Sequence, residues 1–334
     1  MTNTSELTPE RERELILQLK QLRKQIDNEL SRVIVGQKDV VRQLLISLLA
    51  GGNCLITGAP GLAKTLLVKS IAQLFDLKFN RIQFTPDLMP SDITGTEVLR
   101  EDKATGARSF VFVPGPVFAN LVLADEINRT TPKTQAALLE AMQEGLVTAG
   151  GTTHVLPKPF FVLATQNPIE QEGTYRLPEA QLDRFLVSIQ VGYPDAKEER
   201  AIALLDTVER AAVEPVLDLE RFMAIARGIA ALPVPPVVVD FAVRLVRATR
   251  PDGQAAEWVR ANIAWGCGPR ATQHLIAAAR AHAALAGRAA TGCEDISAVV
   301  PWVLGHRLVP TFQAIGKGTT AGALVATLLK QVTP

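Results

Sequence analysis

Two short stretches carry residue types that together could hydrolyse a nucleotide. The first is Gly58-Ala59-Pro60-Gly61-Leu62-Ala63-Lys64-Thr65-Leu66, a glycine-bearing loop that follows an apolar run and opens a helix. Gly58 and Gly61 let backbone N–H groups approach an anion closely. A helix starting near Lys64 points its positive end at the same place. Lys64 would reach the β- and γ-phosphates, and the Thr65 hydroxyl would ligate Mg²⁺. The usual form of such a loop has glycine before the lysine; here Ala63 adds a methyl group that the loop could accommodate. The second stretch is Asp125-Glu126, directly after the apolar run Leu121 to Ala124. Asp125 would hold Mg²⁺ through its water shell, and Glu126 would orient and polarise the attacking water.

These groups need a scaffold that brings them together. Apolar runs at 53–57, 79–84, 121–124, 160–165 and 185–191 alternate with helical patterns, which predicts a parallel α/β sheet with ligands at the carboxyl ends of its strands. The phosphate loop, the acidic pair and Asn167 all fall at such ends. No Asn-Lys-x-Asp run of the kind that reads guanine is present. Before this core, Thr8-Pro9 reads as a cap and first turn, and residues 1–8 read as disordered. Leu15, Leu19, Leu22, Ile26 and Leu30 put one apolar face on a helix expected to dock on the body. From Asp195 the pattern turns helical, with Asp195 and Glu198 spaced as a capping box and a proline-rich break at Pro233, Pro235 and Pro236. The resulting division is an N-terminal helical extension (1–32), an α/β core (33–194) and a helical domain with a tail (195–334).

Composition narrows the function classes. The chain has 334 residues, 47% of them hydrophobic, enough for about two domains, with no apolar stretch long enough to span a membrane. Its start is polar and charged and does not read as a signal peptide. Lys and Arg number 35 against 34 Asp and Glu, so no broadly basic nucleic-acid coat is expected. Cys54, Cys267 and Cys293 form no C-x-x-C pair and read as buried thiols of a reducing, cytoplasmic compartment. His154, His274, His282 and His306 fall at no metal-ligand spacing; His274 and His282 lie on an alanine-rich helical pattern and read as surface or packing residues.

Five motifs taken together resemble one family. They are Gly58 to Thr65, Ala124-Asp-Glu-Ile-Asn-Arg129, Lys133 to Met142, Ala164-Thr-Gln-Asn-Pro168 and Glu179-Ala-Gln-Leu-Asp-Arg-Phe185. The set resembles the MoxR-type AAA+ ATPases, in which alanine before the lysine is usual. The resemblance implies a P-loop core with a five-stranded parallel sheet and an all-α lid. It implies ATP/ADP and Mg²⁺ as ligands and assembly into a homo-oligomeric ring, typically of six. By the same resemblance Val35-Gly36-Gln37 would lie against the adenine, and Asn167 would help place the attacking water. Arg184 would be an arginine finger reaching a neighbour's γ-phosphate, and Arg270 a sensor arginine of the lid, within its own subunit or toward a neighbour. Gly268 replaces a more usual small polar residue near Arg270. Arg129 could contact phosphate or an interface, or be a surface arginine at a helix start.

Two excursions interrupt the sheet, at 86–118, with a turn near Ala104-Thr105-Gly106, and at 147–159, a hairpin around Gly150-Gly151. They match the positions of the family's helix-2 insert and pre-sensor hairpin. The resemblance also implies a partner bearing a von Willebrand factor A domain, beside which relatives often work, and a chaperone role in maturing metal- or cofactor-containing complexes. A nucleic-acid-translocating motor is the competing reading. The 147–159 excursion has no Lys or Arg before Lys158, and the turn near 100–108 mixes Arg100, Lys103 and Arg108 with Glu101 and Asp102, which favours a protein client. A nucleotide-switched scaffold without hydrolysis would not need Glu126 and Arg184.

Overall fold

The apolar runs become five parallel strands, ordered along the sheet as those beginning at Phe79, Leu121, Phe161, Cys54 and Val187, in a computed structural model that describes residues 9–101, 103, 106, 108–168, 173–204, 213–253 and 255–334. The chain enters through α1 (Pro9–Ser31) and α2 (Lys38–Leu49), then β1 (Cys54–Gly58), α3 (Lys64–Leu74) and β2 (Phe79–Gln83). A short α4 (Pro90–Thr94) leads to the antiparallel hairpin β3 (Gly95–Glu101) and β4 (Arg108–Pro114). β5 (Leu121–Asp125), α5 (Pro132–Glu144), the hairpin β6 (Leu146–Ala149) and β7 (Thr152–Val155), β8 (Phe161–Gln166), α6 (Glu179–Leu182) and β9 (Val187–Val191) complete the core. Helices α7 (Ala196–Ala203), α8 (Leu219–Ala230), α9 (Pro236–Ala248) and α10 (Glu257–Asn262) follow. A short β10 (Ile263–Trp265) precedes α11 (Pro269–Leu285) and α12 (Cys293–Leu304); β11 (Val309–Pro310), α13 (Phe312–Gly316) and α14 (Ala321–Gln331) end the chain. The C-terminal region is therefore helical as expected, with one two-stranded pairing of β10 and β11 set into it.

Alternation along the strands divides the core between the sheet's two faces. Cys54, Ile56, Leu121, Leu123, Val187 and Ile189 belong to a cluster that includes α1, α2, α3 and the C-terminal helices. Leu55, Val122, Ala124, Val162 and Ala164 pack on the other side against Leu138, Leu139 and Phe185. β5 is buried at every position, as a strand covered on both faces must be. The expectation of an apolar strand over 79–84 needs correction: β2 is the sheet's edge, and only Ile82 within it is buried.

Leu19, Leu22, Ile26 and Leu30 of α1 are all buried, and Arg23 Nη1 donates to Leu285 O of α11 at 3.1 Å. Each such side chain contributes about 1.5–3 kcal/mol of gross burial, so α1 is docked on the body. Thr8 and residues 1–8 lie outside the described residues, as do Ala104 and Thr105 of the expected turn. The capping box at α7 is formed: Asp195 Oδ1 accepts from the N–H groups of Lys197 and Glu198 at 2.8 Å, and Glu198 returns a carboxylate oxygen to Asp195 N–H at 3.0 Å. Cys54 and Cys267 are buried thiols, whereas Cys293 at the start of α12 is half-buried.

The two excursions pack on each other. The His154 ring stacks on Phe112 at 3.8 Å between centroids, and Phe118 meets Phe112 edge-on at 5.6 Å. Gly150 and Gly151 both have positive φ, 56° and 76°, the backbone of a tight hairpin turn. A Cβ at Gly150 would stand 2.0 Å from the Glu97 carboxyl carbon, so glycine there admits the approach of the other hairpin. Beyond this junction the cross-strand pair Leu99 and Phe110 is exposed, 51% and 70%.

Candidate active site

Register assembles the predicted groups along one edge of the sheet. β1 lies between β8 and β9, with Thr57 opposite Gln166 and Gly58 opposite Val191. The phosphate loop therefore leaves the carboxyl end of β1 beside Asn167, which follows β8 and is buried. Asp125 closes β5 opposite Gln83, the last residue of β2. Val35, Gly36 and Gln37 join the same edge: Gln37 caps α2 in the left-handed conformation, and its Nε2 donates to Leu62 O in the loop at 3.2 Å.

The loop itself is built from particular backbone demands. A Cβ on Gly58 would meet Val191 O at 2.8 Å, so this glycine admits β9. Gly61 has φ 81° and Ala63 φ 53°, which gives Ala63 a left-handed conformation at about 1–2 kcal/mol of strain. Ala59 and Leu62 are buried, Pro60 and Gly61 exposed, and Thr65 and Leu66 half-buried in the first turn of α3. That turn has no acidic residue, so its orphan N–H groups keep their positive character. Lys64 Nζ donates to Gly58 O at 2.6 Å and Ala59 O at 3.3 Å. Burial pulls its ammonium below the ordinary lysine value, while Asp125 and Glu126 oppose the shift.

The acidic pair is held by Thr165 and Arg129, which lie in the quoted motifs, and by Arg81 and Gln83, which no motif announced. Asp125 Oδ2 accepts from Arg81 Nη2 at 2.6 Å and Arg81 Nε at 3.1 Å, and Asp125 Oδ1 accepts from the Thr165 hydroxyl at 2.6 Å. Glu126 has φ 58°, and its Oε2 accepts from Gln83 Nε2 and Arg129 Nη1, each at 2.9 Å. Arg129 thus stands beside the acidic pair of its own chain. Arg81 and Gln83 could have been sought as polar residues at alternate positions on the strand that flanks β5. A hard divalent cation takes oxygen ligands, and the Asp125 carboxylate and Thr65 hydroxyl are such donors. The fit is supported by Asp125 itself, a buried carboxylate that already draws a cationic partner.

Arg184 and Arg270 lie elsewhere. Cys54 is opposite Val187, so the amino end of β9 lies four register steps, about 13 Å, from the loop's edge, and Arg184 comes three residues before it. Its Nη1 donates to Leu139 O at 2.9 Å. Arg270 Nη1 pairs with Asp183 Oδ2 at 3.0 Å, beside Arg184. A third arginine there escaped the sequence reading. Arg307, buried after α12, donates to Asp183 Oδ1 at 2.9 Å, Asp183 O at 3.0 Å and Leu186 O at 3.3 Å, and also to the carbonyls of Phe185 and Val303. It donates as well to His274 Nδ1 at 2.5 Å, and His306 Nε2 meets Phe185 O at 3.1 Å. Burial, helped by Arg307, holds His274 down to about 4 and His306 well below the usual histidine value.

Comparison with known proteins agrees with this architecture. Residues 53–187 match the model of the ATPase family associated with various cellular activities (AAA), and residues 255–328 match the AAA lid domain. The chain is 45% identical over 308 residues to the chaperone MoxR1 of Mycobacterium tuberculosis, covering 91% of this chain and 80% of that protein. The chain belongs to the MoxR-type AAA+ ATPases. It is an ATP-hydrolysing enzyme. Protein MoxR of Methylorubrum extorquens is 32% identical over 300 residues, covering 84% of this chain and 86% of the relative. A crystal structure of a candidate ATPase from Cytophaga hutchinsonii superposes with a TM-score of 0.88 at 39% identity, covering 96% of this chain and 97% of that one. Among the described residues of this MoxR-type chain, no helix is long and apolar enough to cross a membrane.

Proposed function

We propose that this MoxR-type enzyme is a cytoplasmic, Mg²⁺-dependent ATPase that works as a homo-oligomeric ring, six subunits being the family's usual number, and uses hydrolysis to remodel or mature a protein client. The observation that carries the reading is the separation of Arg184 from its own phosphate loop. The loop and acidic pair occupy the carboxyl edge of the sheet, and Arg184 precedes the amino end of β9. A catalytic site that uses this arginine then needs two subunits. The boundaries at 1–32, 33–194 and 195–334 belong to the same proposal.

In this reading Val35-Gly36-Gln37 flank the adenine, and Gly58 to Leu66 cradle the phosphates, with Lys64 turning from loop carbonyls to phosphate oxygens. Thr65 and Asp125 would hold Mg²⁺, which would supply charge neutralisation to the phosphates. Glu126 orients the attacking water and takes up its proton, Asn167 helps place that water, Arg184 of a neighbouring subunit approaches the γ-phosphate, and Arg270 serves as the lid's sensor arginine, within its own subunit or toward a neighbour. The joined hairpins, with Leu99 and Phe110 exposed, suit an apolar protein surface. A client, or a partner with a von Willebrand factor A domain, fits that role; nucleic acid is not expected. The test mixes Arg184→Ala with Lys64→Ala, each inactive alone. Mixed rings should regain activity where an intact loop meets an intact Arg184. No recovery in rings verified to contain both chains would reject a finger acting between subunits.

A further inference from the structure

The strand β8 is apolar and buried from Phe161 to Ala164, then presents a hydroxyl, Thr165, that is also fully buried. A buried hydroxyl is unfavourable unless it is bonded, and this one is bonded twice to the acidic pair. It donates to Asp125 Oδ1 at 2.6 Å and accepts from the Glu126 N–H at 2.8 Å. A hydroxyl has one proton and two lone pairs, so directing the proton to the carboxylate leaves the oxygen free for the amide. The register explains why this residue is chosen: Ala124 is opposite Ala164, so the next residue on each strand is Asp125 and Thr165.

The amide bond bears on catalysis through the backbone of Glu126. With φ 58° and ψ 49°, Glu126 is left-handed, a conformation that is sterically disfavoured for a residue with a Cβ and must be held by its surroundings. In that conformation its carboxylate reaches Gln83 and Arg129. We infer that Thr165 is a positioning residue for hydrolysis, its hydroxyl fixing the metal-side carboxylate of Asp125 and the strained backbone of Glu126 through a single atom. The inference rests on the catalytic reading of Asp125 and Glu126 proposed above. Thr165 acts through them and need not touch nucleotide.

The experiment compares Thr165→Val, which keeps the shape, with Thr165→Ser, which keeps the hydroxyl, and runs Glu126→Gln in parallel. Steady-state turnover is measured together with the Kd of a fluorescent ATP analogue. Thr165→Val should lower kcat by about 10- to 100-fold, a part of what loss of a general base costs. The Kd should stay within about threefold of wild type, and Thr165→Ser should keep kcat within the same margin. If the valine variant does not fold, Thr165→Cys, a poor donor of nearly the same size, should show the same selective loss of kcat. Wild-type turnover in the valine or cysteine variant beside an inactive Glu126→Gln would overturn the role of Thr165 alone. So would equal losses in the serine and valine variants, which indicate packing, or a loss confined to Kd. A Glu126→Gln enzyme that turns over normally would instead remove the reading of the acidic pair, and this inference with it.

Discussion

Replacing Arg81 with methionine should make the enzyme bind Mg²⁺ more tightly. The guanidinium holds Asp125 Oδ2 through two N–H groups, at 2.6 and 3.1 Å, and the Arg81 and Asp125 side chains are 47% and 12% exposed. A fully exposed ion pair is worth about 0.2–1 kcal/mol, and a hydrogen bond to a buried charge about 1.5–3 kcal/mol. A pair exposed on one side falls between, at about 1–2 kcal/mol. If a cation at Asp125 must first release Arg81, it forfeits that amount, which corresponds to roughly 5- to 30-fold in affinity. Arg81→Met keeps most of the stem and removes the charge. The assay titrates Mg²⁺ into metal-stripped protein saturated with a fluorescent ATP analogue, with wild type and variant side by side. A Kd for Mg²⁺ lowered within that range is the expected result. Unchanged or weaker Mg²⁺ binding, in a variant that binds the analogue normally, would mean that arginine and metal share Asp125 and do not compete.

Lys64→Ala should nearly abolish nucleotide binding, since the loop loses its one compact cation; the same fluorescence titration at wild-type affinity would disprove the assignment. Phe112→Ala should free the β6–β7 hairpin from β3–β4 by removing the stack on His154, seen as faster amide exchange over 146–155 with basal ATPase unchanged; unaltered exchange would show the hairpins are tied by other contacts. Stability should fall as pH drops from about 6.5 toward 4, because His274 is held neutral in the fold with its value near 4 against an ordinary 6.5. The unfolded chain binds the proton first, so the contribution is complete above 6.5 and amounts to about 3 kcal/mol. His274→Asn should lessen this fall and leave the part due to His306, which burial also holds well below the usual histidine value; an unchanged pH profile would exclude His274 as a source.

Much of the site was legible in the sequence because its chemistry is local. Gly58 to Thr65 must be contiguous to wrap phosphates, and Asp125-Glu126 must end a buried strand to stand beside them. The docking of α1 followed from its apolar spacing, and the box at Asp195 and Glu198 from a fixed interval. What escaped notice acts across strands or between domains. Arg81, Gln83 and Thr165 matter because register sets them beside Asp125 and Glu126; nothing around Arg81 and Gln83 marks them, and Thr165 stands in a motif singled out for Asn167. β2 looked apolar because its edge position, which leaves all but Ile82 partly wet, is a property of strand order. Arg307 is one arginine after one helix until folding threads it among the carbonyls of residues 183 to 186.

The grip of Arg307 and Arg270 on Asp183 has a directional consequence for an assembly of such chains. The helical lid of one subunit holds the segment that carries Arg184, and in the proposed ring Arg184 serves the next subunit's nucleotide. A lid that shifts with its own bound nucleotide would drag this segment and retune the rate next door. The nucleotide state of each member would then be heard by only one neighbour, so that firing travels around the circle in one sense.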